Sequence, residues 1–264
     1  LTSLVGSEMC IRDRNNIYCM LLLTIIFYGA LASWTILMGV LSLPFLFLPS
    51  KSISLPAKIW IKGIFICLKY ICGVTHEMRG LANLSDEPVI IVSKHQSAFE
   101  TFALYYYLRK SFFIHKKQLF YIPIFGQYLM KHNMVSIDRR GQASTMRKMI
   151  TDVKKKLDSG STIIIFPEGT RTKPGAKADY KTGFIGIYNT SKRKLQPVAL
   201  NSGLFWQKGL KVIKRGHIII EFLPQINIGL DKKEVLNKVE NSIESATNKL
   251  LNLFFFSVGS KLPA

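Results

Sequence analysis

Two short apolar runs, each followed directly by a polar signature, constrain the fold of this chain more than any other feature. Residues 89–92 precede Lys-His-Gln-Ser-Ala-Phe-Glu-Thr at 94–101, and residues 162–165 precede Phe-Pro-Glu-Gly-Thr-Arg at 166–171. Such runs, bounded by polar or turn-forming residues, are typical of buried strands in a parallel sheet. Because ligands of open α/β sheets bind at the carboxyl ends of strands, the two signatures are predicted to face one crevice. The pattern therefore predicts an enzyme.

From about residue 75 onward, apolar runs with strand character alternate with stretches of helical length. We predict strands at 76–79, 88–93, 111–115, 134–137, 161–166, 196–200 and 217–223, and helices at 97–108, 125–131, 143–157, 184–189 and 232–254. This alternation predicts the α/β class, with a mixed, largely parallel sheet of about seven strands flanked by helices. Since no repeat or linker interrupts it, residues 75–264 are predicted to form one catalytic domain.

The amino-terminal part differs in character, because residues 15–50 contain no charged side chain and residues 17–43 are almost continuously apolar. About 20 residues cross the hydrocarbon core of a bilayer, so this stretch could span once, or bend near Gly29 or Gly39 and re-enter. The run is longer than the apolar region of a cleaved signal peptide and lacks a convincing cleavage site. A membrane-associated helical segment is predicted.

Residues 57–70 predict a second helix in this part of the chain. On a helix, Lys58, Lys62 and Lys69 project within about 40° of one another and leave apolar side chains on the other faces. The pattern favours a helix lying on anionic lipid, and the alternative is a core-packed helix with solvated lysines. Residues 15–74 are therefore predicted to be membrane-embedded or interfacial. Residues 1–14 resemble translated sequencing-adaptor sequence and are predicted to be a non-native leader.

The charge of the chain restricts the kinds of binding partner, and its cysteine content restricts the cellular compartment. The 264 residues include 36 basic and 16 acidic side chains, a formal net charge of +20, which favours an anionic partner. A mean hydropathy of +0.19 and the absence of any recognised nucleic-acid motif favour anionic membrane lipid over nucleic acid. The four cysteines lie within the first 72 residues, before both signatures, which predicts reduced thiols and a cytosolic catalytic domain.

The first signature contains a histidine and a carboxylate that suit general-base chemistry. In an unbroken helix, His95 and Glu100 would be separated by about 140° around the axis, so a turn has to bring them together. A carboxylate on Nδ1 would then orient the imidazole and stabilise its protonated form after Nε2 removes a proton. Alternatively, Ser97 and Glu100 form a capping box at the start of the next helix. The sequence leaves both interpretations open, and the two are compatible.

The second signature offers groups suited to an anion. Gly169 permits a close backbone approach, and Thr170 and Arg171 supply a hydroxyl and a guanidinium that suit a phosphate or carboxylate. The alternative is a generic turn at the end of a strand. Further basic residues follow two other predicted strands, at 116–117 and 139–140. The histidines of the chain lack paired ligand spacing, so no metal site is predicted.

Four blocks in a fixed order resemble the glycerolipid acyltransferase family. They are His95 with Glu100 four intervening residues later, Ile-Asp-Arg at 137–139, Phe-Pro-Glu-Gly-Thr-Arg at 166–171, and Pro-Val-Ala-Leu-Asn-Ser-Gly at 197–203. The resemblance covers about residues 75–230. Within the family, it is to the bacterial enzymes that act on 1-acyl-sn-glycerol-3-phosphate.

The resemblance implies that His95 is the general base and that Glu100 orients it. It also implies a set of residues that hold the phosphorylated acceptor: Lys116, Arg139, Glu168, Gly169, Thr170 and Arg171. Two positions depart from the commoner pattern of the family. Glu100 stands where aspartate is commoner, and Lys94 stands where asparagine is commoner, which leaves the role of Lys94 open.

The resemblance further implies that an acyl group passes from acyl-CoA or acyl-carrier protein, as co-substrate, to the 2-hydroxyl of lysophosphatidate. No cofactor is implied. Alternative acceptors are glycerol-3-phosphate and other lysophospholipids, and the alternative classes are a lipid hydrolase or thioesterase and a non-catalytic polybasic membrane protein. The predicted location is the inner membrane of a bacterial cell, with the catalytic domain on the cytoplasmic side.

Overall fold

The computed structural model describes residues 2–121, 125–131, 134–137, 143–177 and 179–258, which form seven α-helices and seven strands. The helices are α1 (Thr2–Leu41), α2 (Ser54–Cys72), α3 (Phe99–Tyr107), α4 (Phe125–Lys131), α5 (Ala143–Asp158), α6 (Gly183–Ser191) and α7 (Lys232–Val258). The strands are β1 (Val74–Arg79), β2 (Ile90–Ser93), β3 (Ser111–Lys116), β4 (Val135–Ile137), β5 (Thr162–Ile165), β6 (Leu195–Leu200) and β7 (Gly216–Phe222).

The strands form one sheet in the order β1-β7-β6-β2-β5-β3-β4. Neighbouring strands are parallel except β6 and β7, which are antiparallel. This confirms the predicted mixed, largely parallel sheet of about seven strands. Strand β2 lies in the middle, and the chain places β3, β4 and β5 on one side of it before crossing to β6 and β7 on the other. Such a change of side is where α/β sheets commonly bind their ligands.

Helices cover both faces of the sheet, so β2 is buried along its whole length. Successive side chains of a strand point to opposite faces. Ile91 packs in a cluster with side chains of α2 and α3, whereas Ile90 and Val92 pack with side chains of α5, α6 and the first half of α7. The polar residues that follow β2 therefore emerge only at the carboxyl edge of the sheet.

Helices α1 and α2 pack against each other at the amino-terminal end of the chain. Residues Tyr18–Leu41 of α1 are long and apolar enough to cross a membrane, and 11% of the most apolar window is buried. Nε1 of Trp34 donates a hydrogen bond to the carbonyl oxygen of Trp60 on α2, at 2.9 Å. Helix α2 buries Ile64 and Leu68 in the core. The inner side of α2 therefore agrees with the alternative prediction of a helix packed against the core.

The outer side of α2 mixes lysines with large apolar side chains. Lys62 and Lys69 are exposed beside the exposed apolar residues Ile59, Ile66 and Tyr70. Large exposed apolar side chains also continue along α1 and the turn that follows it: Leu22, Ile25, Ile36, Leu37, Val40, Leu41 and Phe47. An apolar surface of this extent, rimmed by cations, is typical of contact with lipid or another apolar partner.

Gly63 of α2 lies against the Trp34 ring of α1. A Cβ atom at this position would lie 2.2 Å from Nε1 of Trp34, the atom that donates to Trp60. We expect Gly63→Ala to displace this ring and to lower the free energy of unfolding by about 1–3 kcal/mol relative to a glycine-to-alanine change elsewhere in a helix. The matched control is Gly29→Ala on α1, where a Cβ meets nothing within 4 Å. Equal thermal stability of the two variants in detergent would contradict the prediction.

Candidate active site

Three neighbouring strands in the middle of the sheet carry the candidate site at their carboxyl ends. Val92 of β2 lies beside Ile165 of β5 on one side and beside Pro197 of β6 on the other, and both pairings are parallel. The segment 94–97 leaves β2, the turn 166–171 leaves β5, and Ser202 follows β6. Groups far apart in the sequence therefore meet at one edge, as the apolar runs predict.

The predicted histidine and carboxylate are in contact. Nδ1 of His95 lies 2.9 Å from Oε1 of Glu100. The Glu100 side chain is fully buried, whereas the His95 side chain is 17% exposed. Because an ionised carboxylate can only accept, Nδ1 carries the proton and Nε2 of the neutral ring is a free base. No described residue forms a hydrogen bond with Nε2, so it is available to a substrate.

Glu100 also holds the start of α3. Its Oε1 accepts hydrogen bonds from the backbone N–H groups of Gln96 and Ser97, both at 2.7 Å, and Oγ of Ser97 accepts from the N–H of Phe99 at 3.1 Å. Glu100 thus forms its half of the predicted capping box through the N–H of Ser97 and also contacts His95, whereas Ser97 accepts from Phe99 instead of Glu100. The turn that brings Glu100 back to His95 is the same turn that begins the helix.

Ser202 completes the surroundings of Glu100 and was not among the residues predicted from the sequence. Its Oγ donates a 2.7 Å hydrogen bond to Oε2 of Glu100, and both side chains are buried. The signal available in the sequence was the block at 197–203, which carries this serine just after β6. Glu100 is therefore held from both oxygens, and its orientation toward His95 depends on three segments of the chain.

We expect Ser202→Ala to lower kcat about tenfold with little change in KM, because a hydrogen bond to a buried carboxylate contributes about 1.5–3 kcal/mol. The measurement is steady-state kinetics in detergent. Ser191→Ala is the matched control, since Ser191 is also buried and its Oγ has no hydrogen-bond partner among the described residues. Equal kcat values for the two variants would contradict a role of Ser202 at Glu100.

The His95 ring and backbone are held by residues of the second signature. The ring stacks on Phe166, with centroids 4.0 Å apart and an interplanar angle of 15°. The N–H of His95 donates to Oε1 of Glu168 at 2.8 Å, and its carbonyl oxygen accepts from the N–H of Thr172 at 2.9 Å. The segment after β5 therefore fixes His95 independently of Glu100.

Glu168 lies behind His95, where its carboxylate meets protein donors. Its Oε2 lies 3.3 Å from Nζ of Lys94 and accepts a hydrogen bond from Oγ1 of Thr172. The residue is 5% exposed. These contacts support a positioning role for Glu168, whereas the resemblance implies contact with the acceptor. They also locate Lys94, whose role the sequence leaves open, directly behind the candidate base.

The rest of the second signature borders a basic cavity. Gly169 has a φ of 67°, a left-handed conformation that favours glycine, and Oγ1 of the exposed Thr170 accepts from Nζ of Lys208 at 3.2 Å. Arg171 lines a cavity of about 240 Å³ next to the histidine segment. The lining residues are Gln96, Arg171, Thr172, Lys173, Pro174, Gln207, Lys208 and Lys211. Four of them are cationic and none is acidic, so the cavity suits an anion.

Two predicted residues cannot be placed by their side chains. Lys116 is the last residue of β3, at the same edge of the sheet, but its side chain is outside the described part of the structure, and Arg139 lies outside the described residues altogether.

Among the described residues, no group of histidine, cysteine and acidic side chains could hold a metal ion. Burial raises the pKa of the Cys72 thiol to about 11, with Cys67 adding to the effect, so Cys72 is not a thiolate nucleophile at neutral pH.

A crystal structure has the same fold. It is described as the 1-acyl-sn-glycerophosphate (LPA) acyltransferase, PlsC, from Thermotoga maritima. The superposition has a TM-score of 0.71 and 24% sequence identity, and it covers 87% of this chain and 95% of the other. At that identity the likeness establishes the fold alone.

Sequence comparison finds one family model and several named relatives that match this chain. The sequence model of the Acyltransferase family matches residues 75–201, which include every described residue of the candidate site up to Asn201. A protein of Pseudomonas aeruginosa named 1-acyl-sn-glycerol-3-phosphate acyltransferase is 29% identical over 191 residues, which cover 70% of this chain and 73% of that one. One of the same name from Helicobacter pylori is 32% identical over 152 residues, or 56% and 63% of the two chains. Residues 75–201 thus match the acyltransferase family model, and the named relatives agree with it, which confirms the predicted resemblance.

A plant relative matches over a smaller share of its own length. The 1-acyl-sn-glycerol-3-phosphate acyltransferase of Limnanthes douglasii is 28% identical over 172 residues, 64% of this chain and 57% of the plant protein.

Proposed function

We propose that this protein transfers a fatty acyl group from an acyl thioester to the 2-hydroxyl of 1-acyl-sn-glycerol-3-phosphate, which yields phosphatidate. The observation that carries the proposal is the 2.9 Å contact between Nδ1 of His95 and the buried carboxylate of Glu100, at the rim of a cavity with four cationic side chains. The names of the relatives from Pseudomonas aeruginosa and Helicobacter pylori support the choice of acceptor.

The reaction follows from a base whose Nε2 forms no hydrogen bond with a hydroxyl or thiol of the described residues. Nε2 of His95 removes the proton of the acceptor hydroxyl, and the oxygen attacks the thioester carbonyl directly. An ester C–O bond forms, the C–S bond breaks, and the imidazolium returns its proton to the departing thiolate. Glu100 stabilises the imidazolium between these steps and keeps the proton on Nδ1. No acyl-enzyme is required.

The acceptor phosphate would be bound by the cavity beside His95. Arg171 presents a guanidinium that can bind two phosphate oxygens, and no described carboxylate lies within ion-pair distance of it. Lys173, Lys208 and Lys211 add positive charge around the same cavity. Lys116, the last residue of β3, and Arg139, which follows β4 in the sequence, are proposed to assist in binding the phosphate. Holding the phosphate here would fix the distance of the 2-hydroxyl from the base.

A membrane location fits both substrates and the exposed surface. Lysophosphatidate is an anionic lipid, and the apolar side of α1 and α2 carries exposed lysines at its rim. We propose attachment to the inner membrane with the catalytic domain on the cytoplasmic side, where acyl-CoA and acyl-carrier protein are found. The net charge of +20 favours an anionic lipid surface.

The decisive experiment supplies the purified protein with lysophosphatidate, other lysophospholipids and glycerol-3-phosphate, each with acyl-CoA or acyl-carrier protein. Mass spectrometry identifies the products. Phosphatidate from lysophosphatidate, formed faster than any other acylated product, is the expected result. Free fatty acid without an acylated lipid would identify a hydrolase or thioesterase, and preferential acylation of another acceptor would replace lysophosphatidate in the proposal.

A further inference from the structure

A buried cation lies directly behind the candidate base. The Lys94 side chain is 2% exposed, and its Nζ lies 2.8 Å from Oε1 of Glu244 and 3.3 Å from Oε2 of Glu168. Glu168 follows β5, whereas Glu244 belongs to α7. Three charges from three distant parts of the chain therefore meet under the sheet edge that carries His95.

These three charges depend on one another. A buried charge without a partner is strongly destabilising, and a lysine between two carboxylates leaves one net negative charge in the group. Tyr180 compensates part of it, since its hydroxyl donates to Oε1 of Glu244 at 2.8 Å. Burial raises the pKa of Tyr180, and the neighbouring carboxylate of Glu244 raises it further, so the hydroxyl stays protonated and remains a donor.

The group is connected to His95 through its backbone. Oε1 of Glu168 accepts the N–H of His95, and Oε2 of the same carboxylate faces Lys94. The main chain on the other side of Lys94 is anchored too, because its N–H donates to the carbonyl oxygen of Val198 on β6 at 3.0 Å. The peptide that carries the base is thus held between a strand and a carboxylate whose own position depends on Lys94.

We propose that Lys94, Glu168 and Glu244 form a positioning network, extending from α7 to the backbone of His95, that sets the approach of the base to the acceptor hydroxyl. The inference rests on the proposed function and adds residues that do not touch substrate. Glu100 orients the imidazole through its ring, and the network orients it through the main chain. A purely structural ion group, which would affect folding alone, is the competing explanation.

The first test variant is Glu244→Gln, because this side chain is 22% exposed and glutamine keeps its size. We expect kcat to fall about 10-fold with KM for both substrates unchanged, since a small displacement of a catalytic group costs up to about 100-fold. Lys94→Met is expected to lower kcat about 100-fold. The double variant should be less impaired than the product of the two single effects, because both changes disrupt one network.

Two further variants separate positioning from stability. Tyr180→Phe removes only the hydroxyl that meets Glu244 and should lower kcat about twofold to fivefold, consistent with loss of one hydrogen bond at the edge of the network. Ile243→Val lies next to Glu244 on α7 but faces the apolar core, where Ile243 is fully buried. We expect both Ile243→Val and Glu244→Gln to lower thermal stability, but only Glu244→Gln to lower kcat.

The outcomes distinguish the inference from the proposed function. Suppose that the wild-type protein acylates lysophosphatidate and that kcat of Glu244→Gln is within twofold of the wild type. This result would overturn the network and leave the proposed function intact. Parallel loss of kcat in Ile243→Val would also overturn the network, because general destabilisation would then account for the effect. If the wild-type protein turned over no thioester with any acceptor or with water, the proposed function and the network would both fail.

Discussion

His95→Ala is expected to lower kcat for acyl transfer about 10²- to 10⁴-fold, the range that general-base catalysis contributes. Alanine leaves the acceptor hydroxyl with water as its only base, while the basic cavity around Arg171 is unchanged. The expected loss is therefore in kcat, with KM for lysophosphatidate nearly constant. The measurement is steady-state turnover in detergent with both substrates present.

The control for this variant is His217→Ala. The imidazole of His217 is on β7, where Nδ1 lies 2.7 Å from Oγ1 of Thr75, and it contacts no residue of the candidate site. Its turnover should match the wild type. Near-wild-type activity of a folded His95→Ala protein would remove His95 from the mechanism.

Arg171→Ala is expected to reduce the preference for a phosphorylated acceptor. A hydrogen bond to a charged group contributes about 1.5–3 kcal/mol, so the ratio of kcat/KM for lysophosphatidate over monoacylglycerol should fall about 10- to 100-fold. Lys173, Lys208 and Lys211 line the same cavity and keep it cationic, so the preference should decrease without disappearing.

Arg193→Ala provides a charge-matched control for this experiment. Arg193 pairs with Asp158 at 3.4 Å on the surface, and neither residue lines the cavity. The preference ratio of this variant should equal that of the wild type. An unchanged ratio in Arg171→Ala would assign the acceptor phosphate to other residues.

Secondary structure from residue 75 onward was largely predictable because its signals are local. All seven predicted strands and five predicted helices occur within a few residues of their expected bounds, since apolar runs and amphipathic periods reflect short-range geometry. The convergence of the two signatures was predictable for a related reason. Both follow strands of a parallel sheet, and parallel strands end at the same edge.

Other parts of the site depend on contacts that no local pattern encodes. Ser202 reaches Glu100 only because β6 lies beside β2, and strand order is a property of the whole sheet. Glu244 meets Lys94 only because α7 returns across the sheet at the end of the chain. In the sequence, a glutamate on an amphipathic helix and a lysine beside a histidine have no detectable relation.

The amino-acid sequence alone determined that this chain contains an α/β domain with a histidine and a carboxylate at a strand end, followed by a turn that carries Thr170 and Arg171. Tertiary structure decided which charges stand behind the histidine: it buried Lys94 and Glu168 and brought Glu244 to them from the last helix. The physical reason is the range of the interactions. Strands, turns and caps are specified by neighbouring residues, whereas a buried ion pair forms only where packing of distant elements excludes water.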